Sequence, residues 1–470
     1  MSAAFQLLTH RLEWPVTRVR YEAAYQLATA ISEGDRAASD ALLAWLAGRQ
    51  LESEAVVGVS IIDAFNLGPH FDAKAVVAAV QAPSYLSDLL ILRNFPSAGN
   101  LFPFRYEYAR GTGNGTIDPD HRAYFDRHLG QTIALRYQTR LARLEQKSGL
   151  PFLERWFEEW AWLQHTLDAP FSGRPDYIWA GGPRENVSNV QVRQTELYIS
   201  AYLRTLAFAV AEWRMPADVA NHAALEALPF NRGMAGVRPA TRPTWTFDTL
   251  KRRAKIGLHT AAMETWAKAE RSVEVGQKLL ALQTTDHGET EFLALSFRRV
   301  LSSAGSISTG PGEAFEQLPW AFVEDEFGGM AGPLVAADGQ DSEDERFLSA
   351  YVQPARFPRF LLDLFPTGVE LGHPRLFEDA VEVSADDGGL TLMAGSQPMS
   401  RWIHWFADWQ PTHPRELHRL GGGLTTIKSS VLASAIRRCG TPSLIYCKAT
   451  YGFRKYSYDE AKIEQQTFWL

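Results

Sequence analysis

Residues 17–82 constrain this chain more than any other stretch. TRVRYEAAYQLATAI, DRAASDALLAWLAG, SEAVVGVSIIDAF and FDAKAVVAAVQA read as four short helices in two pairs, and the pairs repeat. A shift of 34 positions puts Leu27 on Ile61, Ile31 on Phe65, Leu42 on Val76 and Leu46 on Val80, with a mismatch of Val19 on Ser53. Ala23, Leu27, Ala30 and Ile31 fall on one side at a 3.6-residue period, and Arg18, Arg20, Glu22 and Gln26 fall on the other. Gly34-Asp35 makes the turn between the first two helices, and Pro69 and Pro83 punctuate the second pair. VVGVSIIDAF is apolar on most of its surface, which predicts a helix sandwiched between neighbours. A two-helix unit of this length is the building block of helical solenoids.

With its Val-Arg, paired alanines and aliphatic helix end, VRYEAAYQLATAI resembles the HEAT family of helical repeats, over roughly residues 15–95. The resemblance implies a scaffold or docking surface and implies no activity. Two copies fall short of the three or so that a solenoid needs to stand alone. The pairs are therefore expected to pack on the helices of 119–213 or on a partner.

Downstream, a long helix is expected from about 119 to 147, capped by Asp118 or Asp120, and PFLERWFEEWAWLQHTL reads as the next. Residues 189–213 form a strong helical pattern with Ile199, Leu203, Leu206 and Val210 on one side. The stretch 229–245, with three prolines, two glycines and three arginines, reads as the main linker. A helix is expected over about 247–272, then a strand pair around Asp286–Gly288, with a broken helix as the alternative for such short apolar runs. DAVEV and LTLMAG flank Asp386-Asp387-Gly388-Gly389, a hairpin signal. SSVLASAIRRC reads as a helix. SLIYCKATYGF reads as a strand with Leu444, Tyr446, Lys448 and Thr450 on one face and Ile445, Cys447 and Ala449 on the other. The predicted fold class is α+β, with an all-α N-terminal half and a mixed C-terminal half. The expected domains are 1–95, 96–230 and 246–470.

The formal charge of −7 argues against wholesale coating of nucleic acid. Two cysteines, Cys439 and Cys447, cannot build a disulfide framework, which suits a reducing, cytoplasmic setting. There is no run of 18 or more apolar residues and no convincing signal peptide, so no membrane association is expected.

Four groups of residues are candidates for chemistry. Arg136, Arg140, Arg143 and Lys147 share one helix face and could contact phosphates or an acidic partner, although a solvated helix face has the same pattern. Trp156, Phe157, Trp160 and Trp162 could stack on a ligand, although large aromatics usually form core. His413, Glu416 and His418, within 401–423, superficially resemble a metal site, but Pro414 interrupts them and the spacing is not that of an H-E-x-x-H helix. In the same stretch, Gly421 to Thr426 could form an anion-binding nest, against the plainer reading of a flexible turn before a helix. Glu324, Asp325, Glu326, Asp341, Glu343, Asp344 and Glu345 are the fourth group, with solvated loop charge as the default. No nucleophile elbow, P-loop or dinucleotide fingerprint occurs, so neither catalytic residues nor a cofactor are assigned. Cys447, on a strand, reads as an inert small hydrophobe.

The function this favours is non-catalytic: a protein-binding scaffold or recognition subunit. A short HEAT-like start joined to a Trp-rich α+β tail resembles accessory or sensor regions of bacterial multi-protein systems, antiviral ones included. The alternatives are a metal-dependent phosphoester hydrolase using the C-terminal half, and a nucleic-acid-binding protein using the basic stripe.

Overall fold

Among the described residues, helices make up the first half of the chain, and strands with three α-helices make up the second. In a computed structural model, the residues described are 3–14, 17–97, 122–123, 125, 135–167, 189–230, 232, 235–288, 290–301, 348–352, 369–373, 376–377, 381–386, 388–406, 421–453 and 462–470. They divide into a helical unit, Met1–Ala235, and a second unit from Gly236 onward. The fold class is α+β, as the sequence indicates.

The helical unit contains α1 (Ala3–Arg11), α2 (Thr17–Ser32), α3 (Arg36–Ala47), α4 (Glu52–Ala64), α5 (Ala73–Ala79), α6 (Tyr85–Asn94), α7 (Leu135–Ser148), α8 (Phe152–Thr166), α9 (Asn189–Ala211) and α10 (Ala217–Ala224). The first turns are set by side chains that satisfy orphan N–H groups. Asp35 accepts from Ala37 N at 2.8 Å, Asp72 accepts from Ala75 N at 3.3 Å, and Ser84 and Ser87 cap each other reciprocally. Leu27, Ile61, Leu42, Val76 and Leu46 are all buried. α4 is buried along nearly its whole length because it lies between α6 and α9.

Charge is buried here as well as apolar surface. Arg204 on α9 donates to Glu52 on α4 and to Glu159 on α8, each at 2.8 Å, and Arg155 also pairs with Glu159. Arg20 pairs with Glu196 at 2.8 Å, and Ser53 Oγ donates to the Glu196 carbonyl. Burial holds the Glu52 carboxyl above its ordinary range even with Arg204 beside it. Asp63 on α4 is fully buried and receives Arg93 and Asn94 from α6, together with Arg232.

The stretch 229–245 is not a free linker. Phe230 is fully buried, with ring contacts to Tyr21 and Phe65, and Tyr21 Oη donates to the Ala235 carbonyl at 2.7 Å. Val237 is buried too, and Ala240 N donates to the His404 carbonyl at 2.7 Å. The division between units falls inside this stretch, yet each end of it is part of a core. Pro and Gly mark the irregular backbone correctly; they do not report whether it is solvated.

In the second unit, α11 (Thr249–Ile256) and α12 (Leu258–Ser272) are separated by Gly257, whose φ of 82° breaks the single helix expected there. The strands are β1 (Gln277–His287), β2 (Glu291–Leu301), β3 (Ser349–Val352), β4 (Val369–Gly372), β5 (Glu382–Asp386), β6 (Gly389–Ala394), β7 (Gln397–Phe406), β8 (Gly421–Lys428), β9 (Ser443–Phe453) and β10 (Lys462–Trp469), with α13 (Ser429–Cys439) after β8. Eight of them form one antiparallel sheet in the order β10-β9-β2-β1-β8-β7-β6-β5, and β3 pairs with β4.

One face of the sheet packs on α11 and α12 through Leu282, Leu293, Leu295, Phe297, Trp405, Cys447 and Ala449, against Leu250, Ala262, Trp266 and Ala269. The opposite face carries a buried polar group. Arg298 Nε donates to Glu370 Oε1 at 2.7 Å, Arg298 Nη2 donates to the Ser349 carbonyl, and Thr425 Oγ1 donates to the Glu370 carbonyl, both at 2.6 Å. These bonds tie β3 and β4 to β2 and β8. The Gly421–Thr426 run is therefore neither an anion nest nor a flexible turn: it is part of β8, paired on both sides. Glycine is needed because a Cβ on Gly422 would lie 2.4 Å from the Trp405 ring.

Candidate functional site

The sheet has two edges, and they differ in how they are protected. β5 is five residues long and carries Glu382 and Asp386 at its ends. β10 is eight residues long, has no register shift against β9, and contains no proline. Length, an unbroken register and few charges are what an edge strand lacks when it is built to refuse partners. Of its residues, Lys462 through Thr467 and Trp469 are exposed.

The ladder fixes which backbone groups of β10 are spare. Ile445 and Leu470 exchange both hydrogen bonds, at 3.2 and 2.8 Å, so they form a hydrogen-bonded pair. With the continuous register, Phe468, Gln466, Glu464 and Lys462 also point their backbone groups at β9. Ile463, Gln465, Thr467 and Trp469 therefore point their N–H and C=O groups away from the sheet. Their side chains lie on the face opposite α11 and α12, since Phe468 and Leu470 pack into the helix-side core. Ile463 and Trp469 are each 55% exposed, and Trp469 meets Tyr446 edge-on with centroids 5.2 Å apart.

On the helix side, a recess of about 320 Å³ adjoins the same strand. It is lined by Arg253, Ala254, Gly257, Leu258, Tyr451, Glu464 and Gln466. The break at Gly257 turns the chain and opens the recess. The Arg253 guanidinium lies 3.5 Å above the Tyr451 ring, and Tyr451 Oη donates to Glu291 Oε2 at 2.8 Å. Burial, and then the bond to Glu291, pushes the Tyr451 hydroxyl above its ordinary range. The recess thus offers a fixed cation on an aromatic plate, with a carboxylate and an amide at its rim.

The residues singled out from sequence are not gathered at this site. Arg136, Arg140, Arg143 and Lys147 all lie on α7. Arg140 is turned inward and pairs with Glu226 at 2.5 Å, Arg143 is half-buried, and Lys147 is exposed. Trp156, Phe157 and Trp160 are core: Trp156, Trp160 and Tyr198 stack within 6° of parallel, and Trp162 receives Arg204 over its ring. Trp402 and Trp405 are buried on opposite faces of β7. His413, Glu416 and His418, and the acidic set from Glu324 to Glu345, lie outside the described residues. Among the described residues no group of three or more His, Cys, Asp or Glu side chains is placed to hold a metal ion. Among the same residues no helix is long and apolar enough to cross a membrane. Cys447 is buried, and burial pushes its thiol up, away from thiolate chemistry.

β10 is the element that sequence reasoning passed over. Its one signal is the spacing of Ile463 and Trp469 around Gln465 and Thr467, in a strand wet on both faces. No protein-family model matches the chain, and no curated protein is similar to it at a significant level.

Proposed function

We propose that this protein is a non-catalytic protein-binding subunit that accepts an extended segment of another polypeptide as a further strand on β10. One observation carries the reading: an eight-residue edge strand, exposed and unbroken, presents the backbone groups of Ile463, Gln465, Thr467 and Trp469 outward. Main-chain hydrogen bonds supply affinity in such additions, and pockets for alternate side chains supply selectivity. The recess at Arg253 and Tyr451 is placed to receive a helix-side side chain of the added strand. In the same reading the helical unit is the scaffold, with residues 15–95 as HEAT-like pairs. Its support there is the helices α2 to α5 and the burial of Leu27, Ile61, Leu42 and Val76.

The test uses proline at an outward position. Gln465 does not give its N–H to β9, so Gln465→Pro leaves the native ladder intact while removing a donor from any added strand. Native pull-down with mass spectrometry and hydrogen exchange on the full chain are the measurements. A polypeptide that protects the amides of Ile463, Gln465, Thr467 and Trp469, and that is lost with Gln465→Pro, supports the reading. Partners bound equally well by the variant, with no protection on β10, overturn it.

A further inference from the structure

We infer that the strand added to β10 is β10 of a second copy of this chain, so that two sheets join edge to edge across a two-fold axis. This rests on the strand-addition reading above and names its occupant. The argument is the symmetry of the outward residues. In order they are Ile463, Gln465, Thr467 and Trp469: apolar, polar, polar, apolar. An isologous interface requires a surface that complements itself, and this order reads alike in both directions.

Antiparallel pairing about Gln466 satisfies that symmetry. Ile463 then faces Trp469 of the other copy, and Gln465 faces its Thr467, each twice. Every outward N–H and C=O of the four residues gains a partner, as in a continuous antiparallel ladder. The two large apolar side chains that β10 leaves 55% exposed become cross-strand neighbours, close to Tyr446 beneath Trp469. Aromatic and β-branched residues are favourable partners in that arrangement.

On the helix side the same register sets Gln466 against itself, Glu464 against Phe468 and Lys462 against Leu470. No like charges face each other. A shift of two residues breaks the Ile463–Trp469 pairing, setting Ile463 against Thr467 in one direction and Trp469 against Gln465 in the other. The register about Gln466 is the one that sets the two large apolar side chains against each other. The opposite edge, β5, has acidic residues at both ends and alternates in exposure, so it offers no comparable surface.

The experiment is sedimentation of the full chain, with charge placed on the two central outward residues. Wild type is expected at twice the 52.5 kDa chain mass. Gln465→Lys combined with Thr467→Lys brings lysines face to face and should weaken the dimer by more than about tenfold. Gln465→Glu combined with Thr467→Glu should do the same. An equimolar mixture of the two double variants should recover the dimer, because each lysine then faces a glutamate. Far-UV circular dichroism checks that each variant is folded, and Gln465→Pro, which removes an outward donor from each copy, replaces a double variant that is not. A monomeric wild type at its highest soluble concentration overturns the inference, as does a dimer that ignores both double variants. A monomeric wild type that still loses a partner with Gln465→Pro removes only the second copy and leaves the strand-addition reading standing. Absence of any ligand on β10 removes both.

Discussion

Arg232 holds Asp63 from 169 residues away: its Nη2 lies 3.0 Å from Asp63 Oδ1, and its Nε donates to the Asp63 carbonyl at 3.0 Å. Arg93 donates to the same carboxylate at 2.7 Å and Asn94 at 2.8 Å. The Asp63 side chain is 0% exposed, whereas Arg93 and Arg232 are 38% and 39% exposed. The costs of deletion are therefore unequal. Asp63→Asn frees two arginines that can reach water, and should cost about 1–2 kcal/mol. Arg93→Ala leaves a buried carboxylate with one cation fewer, and should cost about 2–3 kcal/mol. Urea denaturation followed by helix signal measures both, and the reverse order of effects would refute the asymmetry.

Asp88 on α6 predicts a pH dependence. Its Oδ1 is buried with no hydrogen-bond partner among the described residues, and burial raises the carboxyl pKa from 3.8 to about 8. Between those values the folded protein keeps a proton that the unfolded chain has released. Unfolding then releases a proton, so this contribution falls as pH rises through the window and levels off above about 8. Asp88→Asn cannot titrate and should flatten the profile, making the variant about 1–3 kcal/mol more stable than wild type at pH 8. Equal slopes for the two proteins between pH 5 and 8 would contradict this.

Arg204 bridges Glu52 and Glu159 in the helical core. Arg204→Met keeps the bulk and removes the charge, which takes the cation from buried Glu52 and leaves Glu159 with Arg155. The expected loss is about 3–5 kcal/mol. Replacing Arg204, Glu52, Glu159 and Arg155 together by apolar residues of similar volume should restore much of it, because an apolar cluster has no charge to desolvate. Calorimetric melting temperatures decide between the two outcomes.

Two cations of the basic stripe should behave differently on reversal. Lys147→Glu alters an exposed position and should change stability by less than about 0.5 kcal/mol. Arg140→Glu turns the pair with the nearly buried Glu226 into a repulsion and should cost about 2 kcal/mol or more. Equal, small effects at both sites would mean that Arg140 is as free as a nucleic-acid contact requires.

Gly422→Ala tests the sheet. The added Cβ would meet the Trp405 ring at 2.4 Å and the Gln283 carbonyl at 2.6 Å. Since backbone and a buried indole cannot both yield, a loss of about 2–4 kcal/mol is expected, seen as faster hydrogen exchange across β1, β7 and β8. An unchanged exchange pattern would show that the sheet has slack there.

The helices α2, α3 and α5 were legible from apolar residues at the helical period and clear punctuation residues, and α4 from an apolar run bounded the same way. The β1–β2 and β5–β6 hairpins were legible because turn residues sit between short apolar runs. The two faces of β9 were assigned correctly for the same reason: Ile445, Cys447 and Ala449 are all on the helix side. Gly421 to Thr426 was not legible, since three glycines read as a turn until Trp405 is placed above Gly422. Charge spacing put four cations on one face of α7, but only tertiary structure brings Glu226 to Arg140. β10 was invisible because an edge strand wet on both sides has no burial pattern to betray it. Phe230 and Val237 show the reverse case, buried side chains inside a Pro/Gly-rich stretch.

The strand order has a consequence for how the second unit is made. β1 and β2 are the first strands synthesised, yet they stand in the interior of the sheet, with β8 beside one and β9 beside the other. Leu282 waits for Leu424, and Leu293 for Tyr451. Such a topology has high contact order, so the sheet cannot close until β8 and β9 have been made. Until β8 and β9 arrive, the β1–β2 hairpin has two bare edges, and this interval is where a nascent chain is most exposed to misassembly. The helices α1 to α10 all precede the first strand, so their contacts form within a stretch of chain that leaves the ribosome before any of the sheet does.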